Sequence, residues 1–267
     1  GWDNVTPVRN ADHCLTMQNS TQSVRRALAL LEAFDRETPA LGVTQLAAKV
    51  GLHKSTAYRL ATTLAGEGFL HQDRATGRYS LGGRFYRIAA GFVEQDPLLR
   101  EGREVLAQLR DACGHLVSLG MLDDDEVLFV LVFESTLAVR AGARRVGERL
   151  PVSVSAAGKV LLAALPSDEA EAILRRQGLS RSTPNSLASR EAMLRELARV
   201  RCDGIGWSRE EAAIGLVALA APVRRGDRTV AALSMACPTN LLNAPSLDEL
   251  AHRVRRAATE LSRRLHD

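Results

Sequence analysis

The spacing of apolar residues in the stretch 43–81 predicts two short helices followed by two short strands. Each helix has one apolar face, whose residues recur at three- and four-residue spacing. The two faces consist of Leu46, Ala47 and Val50 in the first helix and of Ala57, Leu60 and Leu64 in the second. Between them lies Gly51, which tolerates the positive φ of a sharp inter-helix turn. The pattern therefore predicts a helix-turn-helix pair.

The polar face of the second helix carries hydrogen-bond donors at spacings that suit phosphates and base edges in a DNA major groove. These side chains are Lys54, Ser55, Tyr58, Arg59, Thr62 and Thr63. For a helical hairpin alone, a merely solvated polar face is the more common case. The alternating segments 69–72 and 78–81, however, bracket a turn with Gly77 and predict a β-hairpin wing. Arg74 and Arg78 near its tip are expected to contact a minor groove or the DNA backbone.

A further helix is predicted over residues 24–34, after Ser23 and before the stop at Thr38-Pro39. Its apolar stripe is expected to consist of Val24, Ala27, Leu28, Leu31 and Phe34. Arg25 and Arg26 lie off that stripe and are candidates for phosphate contacts.

Residues 82–114 are predominantly helical in pattern, but the helix is predicted to break at Asp96-Pro97, because proline disfavours the α conformation of the residue before it. We therefore expect residues 1–20 to form a disordered tail, 21–82 a winged helix-turn-helix domain, 83–97 a linker helix, and 98–267 a second domain.

The second domain alternates strand and helix patterns, which indicates an α+β fold with an antiparallel-rich sheet flanked by helices. Strands are predicted at 115–122, 126–133, 137–141, 215–224 and 229–237, and helices from about 155, at 167–177, 189–199 and 247–265. Five arginines lie off the apolar stripe of the last helix, at positions 253, 255, 256, 263 and 264. They could contact nucleic acid or form a solvated face that balances nearby acids.

The distribution of charge supports a nucleic-acid partner for the first domain. The net charge of +4 lies entirely within residues 1–87, since residues 88–267 contain 24 basic and 24 acidic side chains. Residues 38–87 hold seven basic and two acidic side chains, which is typical of a surface that neutralises phosphates.

The sequence disfavours several other classes of protein. It contains neither an apolar run long enough to span a membrane nor a signal-peptide pattern at its start, so we expect a cytoplasmic protein with no membrane partner. Four scattered cysteines do not indicate disulfides or a zinc site. No GxSxG, HExxH or Walker spacing occurs, and no catalytic residue, cofactor or metal is expected. An enzyme and a redox sensor acting through Cys113 or Cys237 remain as alternatives.

From Ser20 onward the chain resembles the isocitrate-lyase-regulator (IclR-type) family of bacterial transcription factors. The matching motifs are SVRRALALLEAF at Ser23, GLHKSTAYRLATTL at Gly51 with GRYSLG at Gly77, LPVSVSAAGKVLLA at Leu150, and DGIGWSREEAAIGLVALAAPV at Asp203 with VAALSMACP at Val230. The resemblance implies a DNA-binding winged helix-turn-helix, a linker helix and a GAF- or PAS-like effector domain. It also implies a homodimer or a dimer of dimers.

The resemblance further implies an effector site at Ala156, Ala157, Leu216, Ser234 and Ala236, with Leu122 and Gly142 closing the pocket. Small residues at a helix start leave N–H groups open to an anion, so we expect a carboxylate effector. Plain core packing would also explain alanines and one serine there. Many family members carry a second serine where this chain has Ala236, which implies a less polar pocket. His53 lies at the usual N-cap position, where Ser or Asp caps better.

These observations predict a sequence-specific DNA-binding regulator controlled by a small-molecule effector. Its partners would be a double-stranded DNA operator and an organic acid. Arg59, Ser55 and Thr62 are expected to face bases, whereas Lys54, Tyr58 and the wing arginines would mainly hold phosphates.

Overall fold

The computed structural model describes residues 21–137, 144–241 and 244–266. Trp2, Cys14 and Gly142 lie outside the described residues, as do the predicted tail and most of the predicted strand 137–141. The chain divides into two compact units between Gln95 and Asp96.

The first unit contains four helices and three short strands among its described residues. They are α1 (Gln22–Glu32), β1 (Ala40–Leu41), α2 (Val43–Lys49), α3 (Lys54–Gly66), β2 (Leu70–Gln72), β3 (Tyr79–Leu81) and α4 (Gly83–Gln95).

The predicted helix-turn-helix pair is formed by α2 and α3. Gly51 adopts a φ of +65° in the turn between them, a conformation that a residue with a Cβ rarely accepts. Leu46 is fully buried, as are Ala57 and Ala61 on α3. The small side chains of Ala57 and Ala61 let the crossing helices approach closely. Tyr79 of β3 also belongs to the buried residues of this unit.

The wing is a three-stranded antiparallel sheet in the order β1-β3-β2. Its hairpin β2-β3 agrees with the prediction, but β1 was not predicted. Ala40 and Leu41 pair with Ser80 and Tyr79 of β3. Two residues are too few to produce an alternating pattern, so the sequence gives no sign of this strand.

The predicted apolar stripe of the first helix is partly wrong. Val24 and Leu28 are 57% and 54% exposed, whereas Leu30, which the predicted stripe left out, is fully buried. The helix also ends at Glu32, before the predicted stop, and Thr21 rather than Ser23 precedes its first turn. The carboxylate of Asp35 then accepts hydrogen bonds from Thr38 and from the ammonium of Lys49, which holds the chain in a turn.

The second unit contains five helices and six strands among its described residues. They are α5 (Pro97–Cys113), β4 (Leu116–Asp123), β5 (Glu126–Phe133), β6 (Arg149–Pro151), α6 (Ala156–Ala164), α7 (Ser167–Gln177), α8 (Arg190–Asp203), β7 (Gly206–Arg209), β8 (Leu216–Arg225), β9 (Arg228–Pro238) and α9 (Ala244–Arg264). A short 3-10 turn, Thr239–Leu241, precedes α9.

The six strands form one antiparallel sheet in the order β6-β5-β4-β9-β8-β7. Helix α6 packs on one face, together with α7 and α8, over apolar residues such as Phe129 and Ala232. Helices α5 and α9 contact the strands and one another, and Leu119, Leu131 and Leu261 surround Gly102 of α5. The central strands are thus covered by helices, and the fold is α+β as predicted.

Two edge strands were not predicted. One is β6, which pairs with β5. Leu137, the one described residue of the predicted strand 137–141, lies in a bend. Strand β7 pairs with β8 and was not predicted. No helix of the described residues is both long and apolar enough to cross a membrane.

The junction between α4 and α5 follows the sequence signal at Asp96-Pro97. The carboxylate of Asp96 accepts hydrogen bonds from the backbone N–H groups of Leu98, at 2.8 Å, and Leu99, at 3.3 Å. Pro97 occupies the first helical position, where its missing N–H costs nothing. Asp96 is therefore the N-cap of α5 and is itself buried.

Candidate functional sites

Helix α3 presents its predicted DNA-binding face to solvent. All six side chains are exposed, and the ring of Tyr58 is 53% exposed despite its size. They are Lys54, Ser55, Tyr58, Arg59, Thr62 and Thr63. The buried face opposite carries Ala57 and Ala61, so small residues anchor the helix and its polar side chains face the solvent.

The start of α3 is better defined than His53 suggested from the sequence. The Nδ1 atom of His53 accepts a hydrogen bond from the Ser55 backbone N–H at 3.4 Å, and it lies 2.8 Å from the Ser55 hydroxyl. His53 is therefore the N-cap of α3. The same contact engages the hydroxyl of Ser55.

Thr63 is less available as a donor than its position implied. Its hydroxyl donates to the backbone carbonyl of Arg59 at 3.0 Å, one helical turn earlier. In this rotamer the Thr63 oxygen can still accept a hydrogen bond but has no proton left to give to a phosphate.

The two wing arginines have different surroundings. Arg74 is exposed in the turn, which the carboxylate of Asp73 holds by accepting from the N–H groups of Ala75 and Thr76. The guanidinium of Arg78 instead donates to the side-chain oxygen of Gln45 on α2 at 3.3 Å. Arg78 thus connects the wing to the helix-turn-helix.

The predicted phosphate-binding arginines of α1 lie at the start of that helix. Arg25 is exposed, and Arg26 is half-buried.

The second unit contains a cavity between the first turn of α6 and the strands β4, β9 and β8. Five of the predicted effector residues line it: Ala156, Ala157, Leu216, Ser234 and Ala236. The space among the lining atoms is about 370 Å³, part of it open to solvent, but the part that the centre of a water molecule can reach is only about 20 Å³. The walls are mainly apolar, with a few hydroxyl groups.

The first turn of α6 lies in the cavity wall, which Ala156 and Ala157 line. The helix begins at Ala156, so the N–H groups of Ala156 and Ala157 have no acceptor within it. The N-cap hydroxyl of Ser155 accepts from Gly158 instead, at 3.2 Å. A Cβ on Gly158 would lie 2.3 Å from the carbonyl oxygen of Val152, so glycine lets this turn approach the neighbouring backbone.

The hydroxyls of Ser118 and Ser234 form a buried pair in the cavity wall. They lie on the adjacent strands β4 and β9, in register, with their oxygens 2.8 Å apart. Ser234 was predicted from the resemblance, and Ser118 was not. Ala236 occupies the next position of β9 on the same side of the strand, and it offers the cavity a methyl group.

Of the remaining two predicted effector residues, Leu122 does not line the cavity. Leu122 is partly buried farther along β4, where it packs against the core under α6. Gly142 lies outside the described residues.

A charged side chain that the sequence did not single out also lines the cavity. The guanidinium carbon of Arg144 lies 4.1 Å from the centre of the Phe129 ring, and its Nη1 atom is buried without a hydrogen-bond partner. Burial lowers the pKa of the Arg144 guanidinium below its ordinary value. Arginine nevertheless stays protonated in proteins, so the group is charged.

The alternatives weighed from the sequence gain no support. Burial raises the pKa of the Cys113 thiol to about 11 and that of Cys237 to about 12, so neither is the thiolate that oxidants attack. Within the described parts of the chain, no three His, Cys, Asp or Glu side chains converge on a metal site. On α9, Arg253 pairs with Glu249, and Arg264 pairs with Glu260 and Glu104, which favours the solvated interpretation of this face.

Comparison with known proteins assigns both units. The family model described as the bacterial transcriptional regulator IclR C-terminal domain matches residues 90–263, and that of the IclR helix-turn-helix domain matches residues 23–74. The regulator XynR of Escherichia coli is 34% identical over 91% of this chain and 97% of its own length.

Solved structures show the same fold. An IclR regulator from Alicyclobacillus acidocaldarius has a TM-score of 0.83 at 26% identity, over 92% of this chain and 99% of that one. An IclR homologue from Microbacterium hydrocarbonoxydans, complexed with 4-hydroxybenzoate, has a TM-score of 0.80 at 26% identity, over 91% and 98%. The chain described here belongs to the IclR family of bacterial transcriptional regulators.

Proposed function

We propose that this regulator reads a DNA operator through α3 and the wing and is controlled by a small organic acid bound in the cavity beside α6. The observation that carries the proposal is the union of two features in one chain. One is an exposed, donor-rich helix in a basic domain, and the other is a cavity that an open helix N-terminus and a serine pair line.

On DNA, the position of each side chain on α3 would determine whether it contacts bases or phosphates. Arg59 and Thr62 are exposed in the middle of the helix, where a recognition helix meets base edges. Ser55 would join them when its hydroxyl leaves His53. Lys54, Tyr58, Arg74 and Arg78 would mainly hold phosphates, with Thr63 accepting and Arg25 and Arg26 flanking the contact.

In the cavity, the chemistry favours an anion. The free N–H groups of Ala156 and Ala157 carry the positive end of the helix dipole, and the Ser234 hydroxyl can donate. The neighbouring structure with 4-hydroxybenzoate supports an organic acid as the ligand class. The largely apolar wall, including Leu216 and Ala236, would receive the uncharged part of the acid.

We further propose that the chain works as a homodimer or a dimer of dimers. Apolar side chains of the first unit remain exposed on two helices, Val24 and Leu28 on α1 and Tyr86 and Ile88 on α4. Exposed apolar surface of this kind is typical of a protein interface. A dimer would also present two recognition helices to an operator with two half-sites. Since its operator is bacterial DNA, the regulator would act in the cytoplasm.

A thermal-shift screen tests the ligand class. The full-length chain is heated with aromatic and aliphatic carboxylic acids and with the corresponding neutral primary amides, because a ligand that binds only the native state raises the melting temperature. We expect shifts with one or more acids and smaller shifts with their amides. If neutral compounds alone shift the transition, the anion site at α6 is wrong. Acids that bind should also change operator affinity in a mobility-shift titration at fixed salt.

A further inference from the structure

Arg144 introduces a full positive charge into a cavity that otherwise has none. The other described residues lining the cavity are apolar or carry hydroxyl groups, and no carboxylate is among them. Arg144 therefore has no fixed counterion within the lining, and its Nη1 atom is buried with no acceptor. Glu148 acts on Arg144 only through space.

A buried donor without an acceptor is unfavourable, and a charged one more so than a neutral one. A protein that keeps such a donor gains no hydrogen-bond stabilisation from it unless a ligand supplies the acceptor. Guanidinium groups bind carboxylates through two parallel N–H···O hydrogen bonds, so their geometry matches the planar carboxylate that an organic acid carries.

The guanidinium of Arg144 also contacts an aromatic ring. Its carbon lies 4.1 Å from the centroid of the Phe129 ring, within the range of a cation–π contact. This contact holds the guanidinium beside the Phe129 ring, and its Nη1 atom has no hydrogen-bond partner there. Because the lining side chains leave only about 20 Å³ for a water centre, an acid can enter only when some of them move apart.

We propose that the guanidinium of Arg144 binds the carboxylate of the effector and makes the cavity bind acids in preference to their neutral analogues. The inference rests on the proposed function, in which the cavity binds an organic acid, and adds a specificity-determining residue to it. Phe129 orients the guanidinium, and the N–H groups at the start of α6 share the anion with it.

The test measures acid and amide binding to three full-length variants by titration calorimetry. Arg144→Gln keeps a polar side chain but removes the charge, Arg144→Lys keeps the charge but loses the planar fork, and Arg145→Gln removes the charge of an exposed neighbour. The probe pairs are 4-hydroxybenzoate with 4-hydroxybenzamide and pyruvate with pyruvamide. We expect Arg144→Gln to weaken the acid at least about tenfold while leaving the amide unchanged, Arg144→Lys to fall between, and Arg145→Gln to match the parent.

The melting temperature without ligand provides a second measurement. Removing an uncompensated buried charge should leave it unchanged or raise it, whereas a purely structural arginine would lower it. An acid that binds the parent and Arg144→Gln equally well overturns this inference alone. If the parent binds neither acid but binds an amide, both this inference and the proposal of an acid effector are wrong.

Discussion

The ammonium of Lys159 lies 2.6 Å from the carboxylate of Glu211, and both side chains are almost completely buried. Lys159 also donates to the backbone carbonyl of Trp207 at 2.7 Å. The pair therefore joins α6 to the segment between β7 and β8. Since α6 begins at Ala156, and that segment contributes Ala212 to the cavity wall, the ion pair connects two sides of the proposed effector site.

Replacing Lys159 by Met is expected to destabilise the second unit by about 3–5 kcal/mol, because it leaves the Glu211 carboxylate buried without its partner. Urea unfolding followed by circular dichroism measures the loss. The double variant Lys159→Met with Glu211→Leu should recover much of it, since it removes both charges together.

Arg199→Met is the matched control for Lys159. Arg199 is on the same unit and faces Glu196, but its side chain is 75% exposed, so its loss should change stability by no more than about 1 kcal/mol. A Lys159→Met variant as stable as Arg199→Met would show that the buried pair has no structural role.

Arg59→Ala is expected to cost about 1–3 kcal/mol of specific operator binding, the range for losing a bidentate contact to a base. The reason is its exposed position in the middle of α3. A mobility-shift titration at fixed salt measures the change, with Arg103→Ala, an exposed arginine on α5, as the charge-matched control. Unchanged operator affinity would show that Arg59 does not contact a base.

Arg74→Ala is expected to weaken binding to specific and nonspecific DNA alike. An arginine in the wing turn that contacts only phosphate carries no sequence information, so its loss should lower the slope of log K against log salt by about 1. Titrations over a range of salt concentrations measure that slope. A loss confined to the specific operator would instead assign Arg74 to base recognition.

Ala236→Ser is expected to make the cavity more polar and to strengthen binding of small hydroxy- or keto-acids. The new hydroxyl would lie two residues from Ser234 on β9 and could give about 1 kcal/mol, or roughly fivefold in affinity. Calorimetry with pyruvate measures the gain, and an apolar aromatic acid serves as the comparison. Equal effects on both acids would mean that Ala236 does not set ligand polarity.

Leu28→Lys and Ile88→Lys are expected to shift the chain toward the monomer if α1 and α4 carry the dimer interface. Both side chains are more than half exposed, so neither charge should disturb the core. Sedimentation velocity over a concentration series measures the assembly, with Leu241→Lys, an exposed position of the second unit, as the control. Dimers as stable as those of the parent would exclude this surface.

Local sequence signals predicted the elements that have short-range causes. Gly51 marks the turn of the helix pair, Gly77 the wing, and Asp96-Pro97 the break before α5, and each structural feature lies where the sequence placed it. The apolar stripe of α1 was the exception. Two apolar faces are available on that helix, and only the packing of the unit decides that Leu30, rather than Leu28, is buried.

The lining of the cavity could not be predicted from local sequence signals. Ser118 and Ser234 are 116 residues apart, and their contact depends on the register of β4 against β9, which no local pattern encodes. Arg144 lies in none of the elements that the sequence predicts, and only the fold brings it onto Phe129. The predicted members of the site came from the family resemblance, so residues that the resemblance does not specify were missed.

The break at Asp96 defines where the first helix of the second unit begins. Pro97 has a locked φ, and the Asp96 carboxylate accepts a hydrogen bond from the N–H of Leu98, so the start of α5 is specified by its own two residues and the residue it caps. Such a start does not depend on the residues that precede it. Glycines inserted between Gln95 and Asp96 should therefore leave α5 and its unit folded, which makes this insertion a clean way to ask whether ligand binding and the response on DNA depend on the length of the connection.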